Sequence, residues 1–187
     1  MSTRNACVGV FAVAVCAAAW STLAGAQVGG PGLGQPVSVA DAATWDLSIQ
    51  PDGTGLPAGS GTAATGAQLF ATHCVACHGA GGVGQPNDKL VGGQGTLTQF
   101  QQVRTVGSYW PYATTVWDYV NRAMPFNQPG TLKPDEVYAV SAYVLFLNDI
   151  VGEKQVLNAT SLPLIKMPNR DGFVSDPRPD VPLRRSE

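Results

Sequence analysis

His73-Cys74-Val75-Ala76-Cys77-His78 is the stretch on which the reading of this 187-residue chain turns. It sets two thiols three positions apart and places an imidazole directly after the second. The chain has four cysteines and two histidines in all, and no cysteine or histidine follows His78. The other two cysteines, Cys7 and Cys16, fall in a leader-like start. Arg4 supplies a positive charge, Ala6 to Ala19 form an apolar stretch of 14 residues, and Ala24-Gly25-Ala26 offers a small-x-small cleavage site. Residues 1–26 are therefore expected to be a secretory signal peptide, with a mature start at Gln27; an uncleaved anchor is the alternative. Cleavage leaves Cys74 and Cys77 as the only thiols, in a protein expected in the periplasm.

In an oxidising compartment two cysteines ordinarily pair. The histidine abutting the second argues for something else, because C-x-x-C-H is the attachment sequence for c-type haem. Two thioethers must reach the two vinyl groups on one edge of the porphyrin, and the adjacent histidine then serves the iron as proximal ligand. Three other chemistries use such cysteines. A thioredoxin-like redox pair needs a preceding strand and a βαβ setting, whereas the preceding segment reads as helical and the following one is glycine-rich. A structural zinc site draws ligand pairs from separated elements, and no second pair exists. A plain disulfide leaves His78 without a role. One covalently attached haem c, held by Cys74 and Cys77 with His78 on the iron, is the expectation.

Composition narrows the rest. Charged residues make up 13% of the chain, about half the roughly 25% of a typical soluble domain. A net charge of −2 with an isoelectric point near 5.6 gives no electrostatic basis for nucleic-acid binding. No apolar run reaches the roughly 18 residues of a membrane span, so none is expected after cleavage.

The mature chain divides into three zones. Residues 27–62 hold 8 Gly and 4 Pro in 36 positions and read as a long irregular arm. A short helix interrupts it after Ser38-x-x-Asp41, a capping-box start. Residues 63–150 carry the periodic signal. Ala63 to His73 reads as a helix with Gly66 inserted, a residue that costs about 1 kcal/mol there and signals close helix–helix approach. The stretch from Gly79 to Gly107 reads as loop. Pro111 opens a second helix over roughly Tyr112 to Ala123, and Pro125 bars its continuation. A third begins at Lys133-Pro134-Asp135-Glu136, whose acids suit a helix N-terminus. Its Val137, Val140, Val144 and Leu147 form one apolar stripe, with Tyr143 on an adjacent face able to meet Gly66 and Phe70. Residues 151–187, punctuated by prolines, read as a wrapping extension and a tail. The class is all-α with a large irregular loop.

An electron carrier needs a sixth ligand on its iron. Thioether sulfur is soft and raises the potential relative to a second histidine. The mature chain has two methionines, Met124 and Met167. Met124 lies 46 residues past His78, and Pro125 lets the chain curve away from the helix over the distal face. Met124 is therefore the expected ligand, with Met167 as alternative. His73, one residue before Cys74, is expected to be an exposed helix residue.

These residues resemble class I cytochrome c, with its aromatic N-terminal helix, C-x-x-C-H, distal Met-Pro loop and C-terminal helix with an aromatic. A closer likeness covers about Pro31 to Phe173. Gly32-Leu33-Gly34-Gln35-Pro36, Trp45-Asp46, Pro51-Asp52-Gly53-Thr54-Gly55-Leu56-Pro57, Val106 to Thr114, Arg122-Ala123-Met124-Pro125-Phe126 and Met167 to Phe173 are similar to the cytochrome subunits of bacterial sulfite dehydrogenase and of the Sox-pathway sulfane dehydrogenase (SoxD). The resemblance implies the class I cytochrome c fold with a long N-terminal arm and a C-terminal extension. It implies that Cys74 and Cys77 hold the haem, with His78 proximal and Met124 distal. It also implies a molybdenum-cofactor dehydrogenase subunit as electron donor and a downstream cytochrome or terminal oxidase as acceptor.

Arg104, Tyr109 and Trp110 offer donors that suit haem propionates; aromatic packing and a solvated charge are the competing roles. Asn169-Arg170-Asp171-Gly172 reads as an ordinary turn or as a partner-facing clamp. The arm and residues 151–173 are expected against a catalytic subunit. Two function classes follow: a periplasmic monohaem electron carrier, and a self-contained haem enzyme (a peroxidase or thiosulfate-oxidising cytochrome) with a displaceable sixth ligand. The single C-x-x-C-H with no spare Cys or His favours the first.

Overall fold

A computed structural model describes residues 33–176 and 178. The leader, with Cys7, Cys16 and the expected start at Gln27, lies outside the described residues, as does the end of the tail. The described residues divide into two compact units, one ending at Trp45 and the other starting at Asp46.

In the first unit, α1 (Val39–Trp45) begins where Ser38 caps it. The Asp41 amide donates to Ser38 Oγ at 3.1 Å, and the Ser38 hydroxyl donates to the Asp41 carboxylate at 2.6 Å. The first bond satisfies one of the amides that an uncapped helix start leaves orphaned.

The second unit is built on α2 (Ala63–His73), α5 (Ala113–Ala123) and α6 (Pro134–Leu147). Each starts where sequence chemistry places it. Thr62 and Thr65 cap α2 reciprocally, and the Glu136 carboxylate accepts from the Lys133 amide at 2.7 Å at the head of α6. Helices α2 and α6 cross at Gly66, where a Cβ would run into the Ala139 carbonyl. That close approach lets Phe70 reach Tyr143, ring centroids 5.3 Å apart. On the other side of α6, Trp117 of α5 meets Tyr138 at 5.3 Å, and both are buried. Two single-turn helices complete the set: α3 (Val75–His78) and α4 (Val106–Tyr109), the latter capped by Thr105 and Ser108. Strand structure among the described residues is one antiparallel ladder, β1 (Ser60–Gly61) on β2 (Leu157–Asn158).

The arm expected over 27–62 is divided by the structure. Residues 46–61 belong to the second unit and pack on it: Ile49 and Leu56 lie against the core, and the Tyr138 hydroxyl donates to the Pro57 carbonyl at 2.9 Å. The Ile49 amide donates to Asp118 at 3.4 Å, and Asp118 in turn pairs with Arg122 on the last turn of α5. The extension after 150 is likewise fastened, with Val151, Leu157, Leu162 and Met167 buried and a bridge from Lys166 to Tyr112. Among the described residues, no helix is long and apolar enough to cross a membrane.

Candidate haem site

The end of α2 and the single turn of α3 form one continuous corner. The Cys74 amide donates to the Phe70 carbonyl, and the Cys77 and His78 amides donate back to the Cys74 carbonyl at 3.1 and 2.9 Å. Residues 74, 77 and 78 stand at i, i+3 and i+4 of a helical turn and so share a face. That face opens on a cavity of about 640 Å3, within the range of sites that enclose a cofactor.

His78 is aimed by the loop that follows it. Its Nδ1 lies 2.9 Å from the Asp88 carbonyl oxygen. A carbonyl only accepts, so Nδ1 carries the proton and Nε2 keeps its lone pair for a metal. The loop is tied to the motif by backbone bonds from Gly84 to the His78 carbonyl at 2.8 Å and from Asn87 to the Cys77 carbonyl at 2.9 Å.

The remaining walls are largely apolar: Phe70 from α2, Val116 and Val120 from α5, Val140 and Val144 from α6, and Leu132 before it. Met124 caps α5, its amide bonded to the Val120 carbonyl at 3.1 Å, and it lines the same cavity as Cys74, Cys77 and His78. Met167 does not line it. That side chain is 1% exposed within the core, so the alternative sixth ligand is a packing residue. His73 is an exposed residue at the end of α2, at the edge of the cavity.

The donor chemistry fits a haem. Both cysteines are free thiols, as thioether formation requires. Burial, with a smaller push from the neighbouring Cys77, raises the Cys74 thiol to about 11. A redox-active C-x-x-C works through a lowered thiol pKa, the opposite shift. Among the described residues no three His, Cys, Asp or Glu side chains converge as a cage for a bare ion. The four donors surround an apolar volume instead.

Arg104 and Trp110 both line the cavity, while Tyr109 does not. The Tyr109 ring receives the Arg104 guanidinium at 5.2 Å and the edge of Phe173 at 5.2 Å. Residues 169–172 form a turn, the Gly172 amide donating to the Asn169 carbonyl at 3.2 Å. Asn169 Nδ2 donates to the Tyr109 carbonyl at 2.8 Å, and Arg170 stacks over Tyr112 at 4.1 Å. These side chains fasten the extension to the 109–112 segment.

The Cytochrome c family profile matches residues 63–148. Among solved structures, a chain in the sulfane dehydrogenase SoxCD from Paracoccus pantotrophus is similar, with 43% identity and a TM-score of 0.72. The match covers 79% of this chain and 73% of that one. The chain is a class I c-type cytochrome. A further relative of this cytochrome is the Cbb3-type cytochrome c oxidase subunit FixP of Bradyrhizobium diazoefficiens, 35% identical over 98 residues. That match takes in 49% of this chain and 32% of the relative, so the cytochrome spans about a third of that curated relative.

As a member of this family the cytochrome carries covalently bound haem c and moves electrons. Its site also contains parts that no residue type in the sequence announces. The partner of His78 is a backbone carbonyl, which any residue at position 88 would present. Leu90 and Leu132 reach the cavity from irregular segments that lack periodicity.

Proposed function

We propose that this cytochrome is a periplasmic monohaem carrier of single electrons and the electron-accepting subunit of a molybdenum-dependent sulfite or sulfane dehydrogenase. In this reading Cys74 and Cys77 hold one haem c through thioethers, His78 is its proximal ligand and Met124 its distal ligand. The observation that carries the assignment is that Met124, 46 residues past His78, lines the same largely apolar cavity as Cys74, Cys77 and His78. The dehydrogenase role is supported by the likeness to a SoxCD chain, which extends well beyond the residues matched by the general family profile.

Bound there, the haem supplies one-electron exchange between ferric and ferrous iron, while the oxidation of a sulfur compound belongs to the partner. The chain's own residues set the terms of that exchange. The Asp88 carbonyl holds the His78 proton at Nδ1 and so presents Nε2. Val116, Val120, Val140 and Val144 give the cavity an apolar wall that lowers the local dielectric, one of the levers on a haem potential. Met124 offers a soft thioether that favours the reduced metal. The reduced carrier would pass its electron to a downstream cytochrome or a terminal oxidase.

The absorption spectrum of purified ferric protein tests the ligand set. A weak red charge-transfer band marks the sulfur–iron bond; Met124→Ala should abolish it and Met167→Ala should keep it. Ready carbon monoxide binding by the ferrous wild type would instead mark an open-site haem enzyme. For the partner, a molybdenum-dependent sulfite or sulfane dehydrogenase subunit should reduce the haem on addition of its sulfur substrate. A haem that stays oxidised in that mixture would sink the dehydrogenase assignment. The N-terminal residue of the exported protein should be Gln27.

A further inference from the structure

Asn148 follows the last residue of α6 and is 4% exposed, deep burial for an asparagine. Its carboxamide is engaged at both ends. Nδ2 donates to the carbonyls of Val144 at 2.9 Å and Leu90 at 3.0 Å, and Oδ1 accepts from the Gly92 amide at 3.2 Å. The bond to Val144 is an ordinary helix-end contact. The other two grip the backbone of the proximal loop, just past Asp88, whose carbonyl holds the His78 ring. The Leu90 amide is bonded in turn to the Gly82 carbonyl at 2.8 Å, and the Thr105 hydroxyl donates to the Gly92 carbonyl. Gly107 lies flat against the carboxamide, where any Cβ would overlap it.

We propose that Asn148 is a positioning residue for the proximal histidine. It anchors residues 90–92 to the rigid end of α6, and through them keeps the Asp88 carbonyl on His78 Nδ1. It touches neither the imidazole nor the haem. The proposal rests on the reading of His78 as proximal ligand. An Nδ1–H bond to a carbonyl raises the basicity of a metal-bound imidazole, which favours the ferric state. A slackened loop weakens that bond, so the potential rises.

The test uses the haem-loaded full chain with 15N-labelled histidine. In the ferric wild type, His78 nitrogens should show paramagnetic shifts much larger than those of His73, which is not on the iron; unshifted His78 would fail the ligand reading itself, before any variant is made. Asn148→Leu and Asn148→Ala should then each raise the potential and speed solvent exchange of the His78 Nδ1 proton. A three- to tenfold change in the ferric-to-ferrous balance is expected, about 30–60 mV at 59 mV per tenfold. Asp135→Asn serves as control, because Asp135 accepts from the Ser60 amide at the opposite end of α6. It should lower stability without moving either readout. Asn148 variants that lose stability with unchanged potential and exchange would overturn the proposal, leaving a helix cap. Failure of both to acquire haem would also overturn it, since a positioning residue leaves the centre assembled.

Discussion

Gly66→Ala sets two effects of opposite sign against each other. Helix propensity favours alanine by about 1 kcal/mol in the interior of α2. Packing opposes it. The new Cβ would overlap the Ala139 carbonyl oxygen and lie 2.9 Å from the Tyr143 Cβ. The obstructing atom is backbone of a buried helix and cannot rotate aside, so the cost sits at the upper end of the usual overpacking range, about 3 kcal/mol. Forcing α2 from α6 also loosens the Phe70–Tyr143 pair, whose ring geometry contributes about 1 kcal/mol beyond burial. The balance is a loss of about 3 kcal/mol, or about 6–12 °C in melting temperature for a unit of this size. Thermal unfolding of the haem-loaded protein, followed by far-ultraviolet circular dichroism, reads it directly. Gly152→Ala, at a site with nothing within 4 Å, should melt like the wild type. If Gly66→Ala melts at or above the wild-type temperature, the account of the α2–α6 crossing is wrong.

Met167→Ala should lower stability by about 2–5 kcal/mol, the range for emptying a buried apolar site, while the red band of the ferric protein persists; chemical denaturation and one spectrum check both halves. Burial raises the Tyr138 phenol to about 12, above an unfolded value of about 10. The neutral phenol is thus favoured by the fold, and its contribution is intact below about pH 10 and lost as pH rises towards 12. Denaturation midpoints between pH 9 and pH 12 should fall less steeply in Tyr138→Phe, by about 1–2 kcal/mol across the interval; parallel curves would rule out this group as the cause.

Two of the three long helices carry their own punctuation, Pro111 before α5 and Pro134 with two acids at the head of α6, whereas the Thr62 cap of α2 emerged only in the structure. Haem attachment was legible for a different reason, since covalent chemistry demands one spacing. The methionines show where local reading runs out. Met124 and Met167 both precede a proline, so their immediate sequences offer the same signal. Tertiary packing separates them, placing one on the cavity and the other in the core. Residues 46–61 escaped for want of pattern. Their attachment runs through two-residue pairing, a carbonyl offered to Tyr138 and a lone amide on Asp118, none of which leaves a periodic trace. Asn148 carries no distinguishing signal in the sequence, and two of its three bonds go to Leu90 and Gly92, more than 50 residues away. Polar contacts made to backbone are invisible in a sequence because every residue supplies the same partner.

The short ladder between Ser60–Gly61 and Leu157–Asn158 gives the second unit a clasp where its beginning meets its end. Damage at either terminus is then shared. A chain stopped at residue 156 would lose more than its own extension: Gly61 would lose its β-partner, and the Leu157, Leu162 and Met167 side chains would leave the core together. A cut between residues 46 and 60 would leave β1 joined to α2 but free the segment before it, loosening Ile49 and Leu56 from the core and the Pro57 carbonyl from Tyr138. Proteolysis at one end should therefore sensitise the other, and the two ends should protect or fail as a single latch.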